Sequence, residues 1–318
     1  VLTWQGASSA TAFTGAFLVG ATIGWALALF WAMRVAPPLE GAVEWGRLGN
    51  VWSTNRQLLA AALPFAITLG VLPYVIRIEK FMVAASGDAT LGAVFHVAQL
   101  AWLAGLVVPA AIRSALLPVL GRARDNPSEH RNELHRATDM CFGLLPYGLF
   151  GGYIIMTVFA PLAFPSAYLD GTHGASAVDV FVILLAGWAF TLLATPTYTS
   201  LMAGHHPWRF TAFIVLVLLA ASLLGYGLVL EGSEEPARKL HSAAVASSLS
   251  AGALLVLSWW MSGEFDAVQH RKIEWFAVLL GSLFVVGGLF SGTLLWVFGL
   301  PLFWFTKQGW RAIRATSD

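Results

Sequence analysis

The sequence predicts an all-α fold: a polytopic bundle of transmembrane helices. Hydrophobic residues make up 58% of the 318 residues and charged residues only 11%, well below the roughly 25% typical of soluble domains. Apolar runs recur along the chain, and each is long enough to cross a hydrocarbon core of about 30 Å. A single cysteine, Cys141, excludes an intramolecular disulfide, and the net charge of +1 argues against a nucleic-acid partner.

Eight apolar segments divide the sequence, and the last of them has two interpretations. The 31 residues of Trp275–Phe305 exceed one upright span at about 1.5 Å per residue and are short for two. Glycines in its middle favour a helical hairpin, which gives about nine spans in all, and one tilted helix is the alternative. The seven segments before it are Ala10–Val35, Leu58–Val83, Ala89–Leu120, Cys141–Phe164, Val178–Ala203, Phe210–Leu230 and Ala243–Ser262.

Basic residues predict the sidedness of these spans, because cytoplasmic loops carry an excess of Lys and Arg. If the loop after Val35 is cytoplasmic, alternating spans leave few basic residues outside. The outside set is Arg77, Lys80, Arg238 and Lys239. The basic tail joins the inside set only if the last segment crosses twice, which favours the hairpin. The inside set is Arg34, Arg47, Arg56, Arg122, Arg124, Arg131, Arg136, Arg209, Arg271 and Lys272.

The third segment carries its polar side chains along one face. At about 100° per residue, His96, Gln99 and Arg113 fall on one side of an otherwise apolar helix. Such a stripe is expected to line water, substrate or a polar neighbour, because ionisable groups at membrane depth are costly. Two alternatives stay open: Arg113 extends to the membrane surface, and His96 and Gln99 hydrogen-bond between helices.

Two further segments contain polar candidates. Arg77 and Glu79 lie near the end of the second segment, where Glu79 would pair with a basic group or bind a cation or proton. The alternative is that this charged end only marks the outer headgroup boundary. In the fifth segment, Thr195 and Tyr198 flank a kink at Pro196 and would suit a polar cavity wall or sugar hydroxyls. Threonines in membrane helices also bond to their own backbone or to a neighbouring helix, so that alternative remains.

Catalytic and metal-binding motifs are absent from the sequence. It contains no nucleophile elbow, P-loop, zinc spacing or paired carboxylates, and the outer-loop pair Asp170 and His173 is weak support for acid–base chemistry. The connector at 121–137 and the turn bearing Arg209 are expected to be solvated cytoplasmic segments. No loop is long enough to fold as an independent catalytic domain. We therefore expect a protein that is not an enzyme and that needs no cofactor beyond a coupling ion, Na⁺ or H⁺.

Several motifs resemble those of a known family. LPFAITLGVLPYVIRIEK, a Gly-Asp turn and VVPAAIRSALLPVLGRA together resemble the polysaccharide flippases of the multidrug/oligosaccharidyl-lipid/polysaccharide exporter superfamily. FAPLAFPSAYLDG and LLATPTYTSLMAG follow in the order seen there, and the likeness covers residues 10 to about 262. Glu79 stands where Asp is usual, Gln99 where Arg or Lys is common, and His96 where Tyr is usual.

The resemblance implies one lobe of a two-lobe, alternating-access transporter of the bacterial inner membrane. Its substrate would be undecaprenyl-pyrophosphate-linked oligosaccharide. Its other partners would be membrane lipid and an N-terminal lobe that the sequence lacks. Residues 1–57 would form a preceding transmembrane helix and cytoplasmic inter-lobe linker, 58–262 a C-terminal six-helix lobe, and 263–318 a terminal hairpin and basic cytoplasmic tail.

Within that account, each polar cluster has an implied role. The polar face of the third segment would attract the pyrophosphate and sugar, the charged end of the second would act as a gate, and the fifth would add wall contacts. A multidrug or metabolite exporter of the same superfamily is the nearest alternative. A polyprenyl-phosphate-dependent membrane glycosyl- or acyltransferase and a non-transporting scaffold are the others. The candidate cavity residues are Arg77, Glu79, His96, Gln99, Arg113, Thr195 and Tyr198.

Overall fold

A computed structural model describes residues 78–85, 88–172, 175–204, 207–231 and 235–263, with scattered positions between 63 and 70 and between 280 and 297. Within these ranges every regular element is helical. The chain divides into two units after Gln57, and all the described residues belong to the second unit. The predicted first span, the inter-lobe linker and the basic tail lie outside the described residues, so the count of about nine spans stays a prediction.

Eight α-helices follow one another in the described part of the chain. They are α1 (Ile78–Ala85), α2 (Ala89–Gly105), α3 (Val107–Arg122), α4 (Pro127–Ile154), α5 (Ala160–Ala163), α6 (Ala177–Ala203), α7 (Pro207–Gly225) and α8 (Pro236–Ser262). Short 3-10 turns precede α4 and α6, at Ala123–Asp125 and Ser166–Tyr168. Turns of π-helix continue α4 and α7, at Ile155–Phe159 and Tyr226–Leu230.

Five helical stretches in the described residues are long and apolar enough to cross a membrane. They correspond to the third to seventh apolar segments of the sequence, which confirms that these segments are helices of membrane-spanning length and apolarity. Two of them run for 37 residues, or about 55 Å, so they extend past a hydrocarbon core of about 30 Å. The five stretches are Ala89–Asp125, Pro127–Ala163, Ala177–Ala203, Trp208–Val229 and Ala237–Ser262.

Side-chain caps fix the starts of three helices. The Asp88 carboxylate accepts backbone N–H groups at 2.9 and 3.0 Å at the start of α2, and the Ser176 hydroxyl accepts one at 3.1 Å at the start of α6. Asn126 caps α4, and Pro127 follows at the first helical position, where a missing N–H leaves nothing unpaired. The capped helix therefore begins in the charged connector, well before the predicted span start at Cys141.

The predicted span Ala89–Leu120 is interrupted at Leu106, between α2 and α3. Pro109 has no N–H, so the Gly105 carbonyl four residues earlier loses its usual helical donor. The indole N–H of Trp188, in α6, donates to that carbonyl at 2.8 Å. The break at the end of α2 is therefore part of the contact between α2 and α6.

Helix α6 is the centre of the described bundle. It packs most extensively along α8 and also contacts α2, α3, α4 and α7. Its Trp188 ring lies against Gly148 of α4, where an added Cβ would stand only 1.8 Å from a ring carbon. Glycine at 148 therefore sets how closely α4 approaches α6.

Candidate functional site

Glu79 lies in the contact between α1 and α8. Its side chain is 1% exposed, and its carboxylate approaches the hydroxyls of Ser247 and Ser250. The Ser250 hydroxyl already donates to the Ala246 carbonyl at 2.8 Å. Neither carboxylate oxygen reaches hydrogen-bond geometry with a described residue. An ionised carboxylate is costly in such a place unless a cation or a proton compensates its charge.

The neighbouring residue in α1 forms a different contact. Lys80 Nζ lies 3.0 Å from His96 Nδ1 of α2. An ammonium group has only donors, so the imidazole accepts through Nδ1. His96 is exposed in the described bundle. His96 was predicted to lie on a cavity face, and its contact with Lys80 was not predicted from the sequence.

Gln99 is placed differently from His96, although the two are close on a helical wheel. It is 2% exposed, and its buried carbonyl oxygen finds no hydrogen-bond donor among the described residues. The predicted polar face of the third segment therefore does not open as one surface in the described bundle. A helical wheel gives only the direction in which each side chain leaves the helix. The packing of α2 against its neighbours decides which of those side chains are buried.

Arg113 is held within the bundle by α6. Its side chain is half-buried, and its guanidinium is close enough to the Tyr198 hydroxyl to interact with it electrostatically. Tyr198 is 3% exposed. Its ring stacks on Phe210 of α7 with centroids 6.3 Å apart and planes 6° apart. Arg113 and Tyr198 are the candidate residues from different helices that the described structure brings together.

Thr195 adopts the backbone-bonded alternative that the sequence analysis left open. It is fully buried, and its hydroxyl donates to the Thr191 carbonyl at 2.8 Å. Thr191 and Thr199 donate in the same way to carbonyls four residues earlier, at 2.9 and 2.6 Å. The geometry therefore does not support a contact of the Thr195 hydroxyl with substrate. Arg77 lies outside the described residues.

A cleft that was not predicted from the sequence opens at one end of the described bundle. Its volume is about 1020 Å³, and it lies where α4 and α7 begin and α6 and α8 end. The connector at 121–137 and the turn bearing Arg209 were predicted as separate solvated segments. The predicted alternation of spans places both segments on the same side of the membrane, and this shared side was the sequence feature that could have indicated their contact. The titratable lining residues are Arg124, His130, Arg131 and Arg209.

The chain matches no family model, no curated protein and no solved structure. Within the described residues the protein is all-helical, and five of its helical stretches are long and apolar enough to cross a membrane.

Proposed function

We propose that the chain is one lobe of an alternating-access flippase that moves lipid-linked oligosaccharide across the bacterial inner membrane. The observation that carries the proposal is Arg113, held half-buried within a membrane-length helix bundle beside Tyr198. An ionisable group within a transmembrane bundle is costly, and in transporters such groups mark the path of a polar substrate. The motif resemblance to polysaccharide flippases agrees with this interpretation.

The chemistry of Arg113 suits a pyrophosphate. A guanidinium offers planar, paired N–H donors that match phosphate oxygens. Tyr198, in α6, would orient the Arg113 guanidinium. The Tyr198 ring is itself restrained because it stacks on Phe210. The substrate path would run between this lobe and an N-terminal partner lobe, as it does between the repeats of two-lobe transporters.

Glu79 supports coupling to an ion. Its carboxylate is buried where α1 meets α8, beside serine oxygens. Binding of H⁺ or Na⁺ would remove an uncompensated charge from this contact and so favour its closed packing. Release of the ion would favour separation of the two helices. The bound ion would in this way bias the two states between which a flippase alternates.

The test follows a fluorescent lipid-linked oligosaccharide in vesicles. The protein is purified from its native membranes, so that any partner lobe is retained, and is reconstituted with a substrate labelled on its sugar. Transport is measured as the rate at which a membrane-impermeant reductant gains access to the label. Arg113→Gln should lower that rate about tenfold or more, because hydrogen bonds to charged groups contribute about 1.5–3 kcal/mol each.

Arg122→Gln is the matched control for this experiment. Arg122 ends the same helix and is exposed, and among the described residues its side chain donates to the Pro118 carbonyl at 3.3 Å. Its removal should leave transport within about twofold of the unmodified protein. Equal rates for Arg113→Gln and the unmodified protein would contradict the proposal. Chemical turnover of the substrate in detergent micelles, where no transport exists, would point instead to the membrane transferase alternative.

A further inference from the structure

The basic cleft at the end of the bundle has a lining that favours anions. Arg131 and Arg209 are both exposed there, and neither has an acidic partner within 4.0 Å among the described residues. Arg124 adds a third guanidinium, and no carboxylate belongs to the described lining. Arg131 and Arg209 around one opening attract an anion more strongly than either would alone.

Packing between α4 and α6 fixes the position of Arg131. The preceding residue, His130, lies with its Nε2 2.7 Å from the Ser200 hydroxyl of α6, and Asn126 caps the turn of α4 that carries both. The Ser128 hydroxyl is engaged with Asn126 at 2.8 Å. The guanidinium groups are the charged donors of the cleft, and their paired N–H groups match phosphate oxygens.

The aromatic side of the cleft indicates where the anion comes from. Trp260 is 63% exposed at the end of α8, and Phe213 meets it edge to face with ring centroids 6.3 Å apart. Tryptophan at the end of a membrane helix favours the level of lipid headgroups. This end of the bundle is the one predicted to be cytoplasmic, where anionic lipids attract basic side chains. The lining thus combines cations with an apolar edge at headgroup level.

We infer that this cleft binds the phosphate of an anionic membrane lipid, with Arg131 and Arg209 holding the phosphodiester and Trp260 contacting the glycerol and upper chain. The volume of about 1020 Å³ exceeds what a phosphate ion needs and admits a complete headgroup. The inference does not depend on the flippase proposal, because it concerns lipid held at the surface of the described helix bundle.

The test measures equilibrium binding of pyrene-labelled phosphatidylglycerol to the purified protein in non-ionic detergent, read by energy transfer from tryptophan. The double variant Arg131→Gln with Arg209→Gln should raise the dissociation constant about tenfold or more, because two charge-assisted contacts are lost. Arg131→Lys with Arg209→Lys keeps the charges and should retain much of the binding. Retained binding in that variant also shows that substitution at these positions leaves the cleft folded.

Arg238→Gln is the control for charge alone. Arg238 is exposed at the opposite end of α8 and pairs with Glu235 at 3.2 Å, so its loss should leave binding unchanged. The inference is overturned if the double Gln variant binds as tightly as the unmodified protein or if Arg238→Gln weakens binding equally. Equal affinity for pyrene-labelled phosphatidylcholine would overturn it as well. The assignment to a lipid would be overturned if inorganic phosphate displaced the labelled phosphatidylglycerol and bound the protein with the same affinity as the lipid.

Discussion

Helices α6 and α7 are both apolar, yet they occupy opposite positions in the bundle. In α6, 72% of the residues in the most apolar 18-residue stretch are buried within the protein. In Trp208–Val229, which contains most of α7, the corresponding share is 28%. Both helices are long and apolar enough to cross a membrane. Hydrophobicity alone therefore does not distinguish a central membrane helix from a peripheral one, since lipid chains are as apolar as leucine.

Side-chain size and hydroxyl content separate the two helices. In α6, Gly187 stands so close to Ser248 of α8 that an added Cβ would lie 2.9 Å from its hydroxyl oxygen. In α7, Leu219 and Leu223 are 57% and 75% exposed. Small and hydroxyl-bearing residues let backbones approach and bond across membrane helix contacts, whereas large aliphatic residues suit lipid. The composition of a helix thus indicates its place better than its mean apolarity does.

A pair of leucine substitutions tests this difference with the largest expected effect. Leu192 of α6 is fully buried, and Leu192→Ala should lower the free energy of unfolding by about 2–5 kcal/mol because it leaves a cavity. Leu223→Ala in α7 makes the same change at an exposed site and should cost less than about 1 kcal/mol. Unfolding in mixed detergent and SDS micelles provides the measurement. Similar losses for both variants would remove the distinction between the helices.

Two glycines of α4 test how tightly the central helix is packed. Gly148→Ala would drive a methyl group into the Trp188 ring and should lower the free energy of unfolding by about 1–3 kcal/mol. Gly151→Ala, one turn along the same helix, meets no atom within 4 Å and should be neutral or stabilising by up to about 1 kcal/mol. The comparison is made by thermal unfolding in one detergent. A neutral Gly148→Ala would show that α4 and α6 are not in close contact.

A hydroxyl pair between α6 and α8 gives the smallest effect. Thr197 Oγ1 lies 2.8 Å from Ser258 Oγ, and such bonds between membrane helices average about 0.6 kcal/mol. A double-mutant cycle of Thr197→Val and Ser258→Ala should return a coupling energy near that value. The cycle of Thr191→Val with Ser258→Ala is the control, because Thr191 bonds within its own helix. Equal coupling in the two cycles would argue against the contact.

The sequence predicted the long apolar helices of the described residues well, but it did not predict several contacts between them. Length and apolarity located the third to seventh segments, because a hydrocarbon core demands long stretches without charge. The interruption at Leu106 was missed, although Pro109 was the signal, because its effect depends on whether another group satisfies the Gly105 carbonyl. The contact between Lys80 and His96 was missed because it joins two helices whose rotation the sequence does not specify.

By itself, the sequence determined that this protein has helices long and apolar enough to cross a membrane, because backbone hydrogen bonds must be satisfied within each segment that crosses lipid. Only the tertiary structure decided which polar groups meet. Arg113 lies beside Tyr198, Glu79 faces α8, and Arg131 shares a cleft with Arg209. These residues are far apart along the chain, and the packing of small residues between helices brings them together. That packing depends on the shapes of the side chains, and the pattern of apolar and polar residues in a sequence does not specify how those shapes fit together.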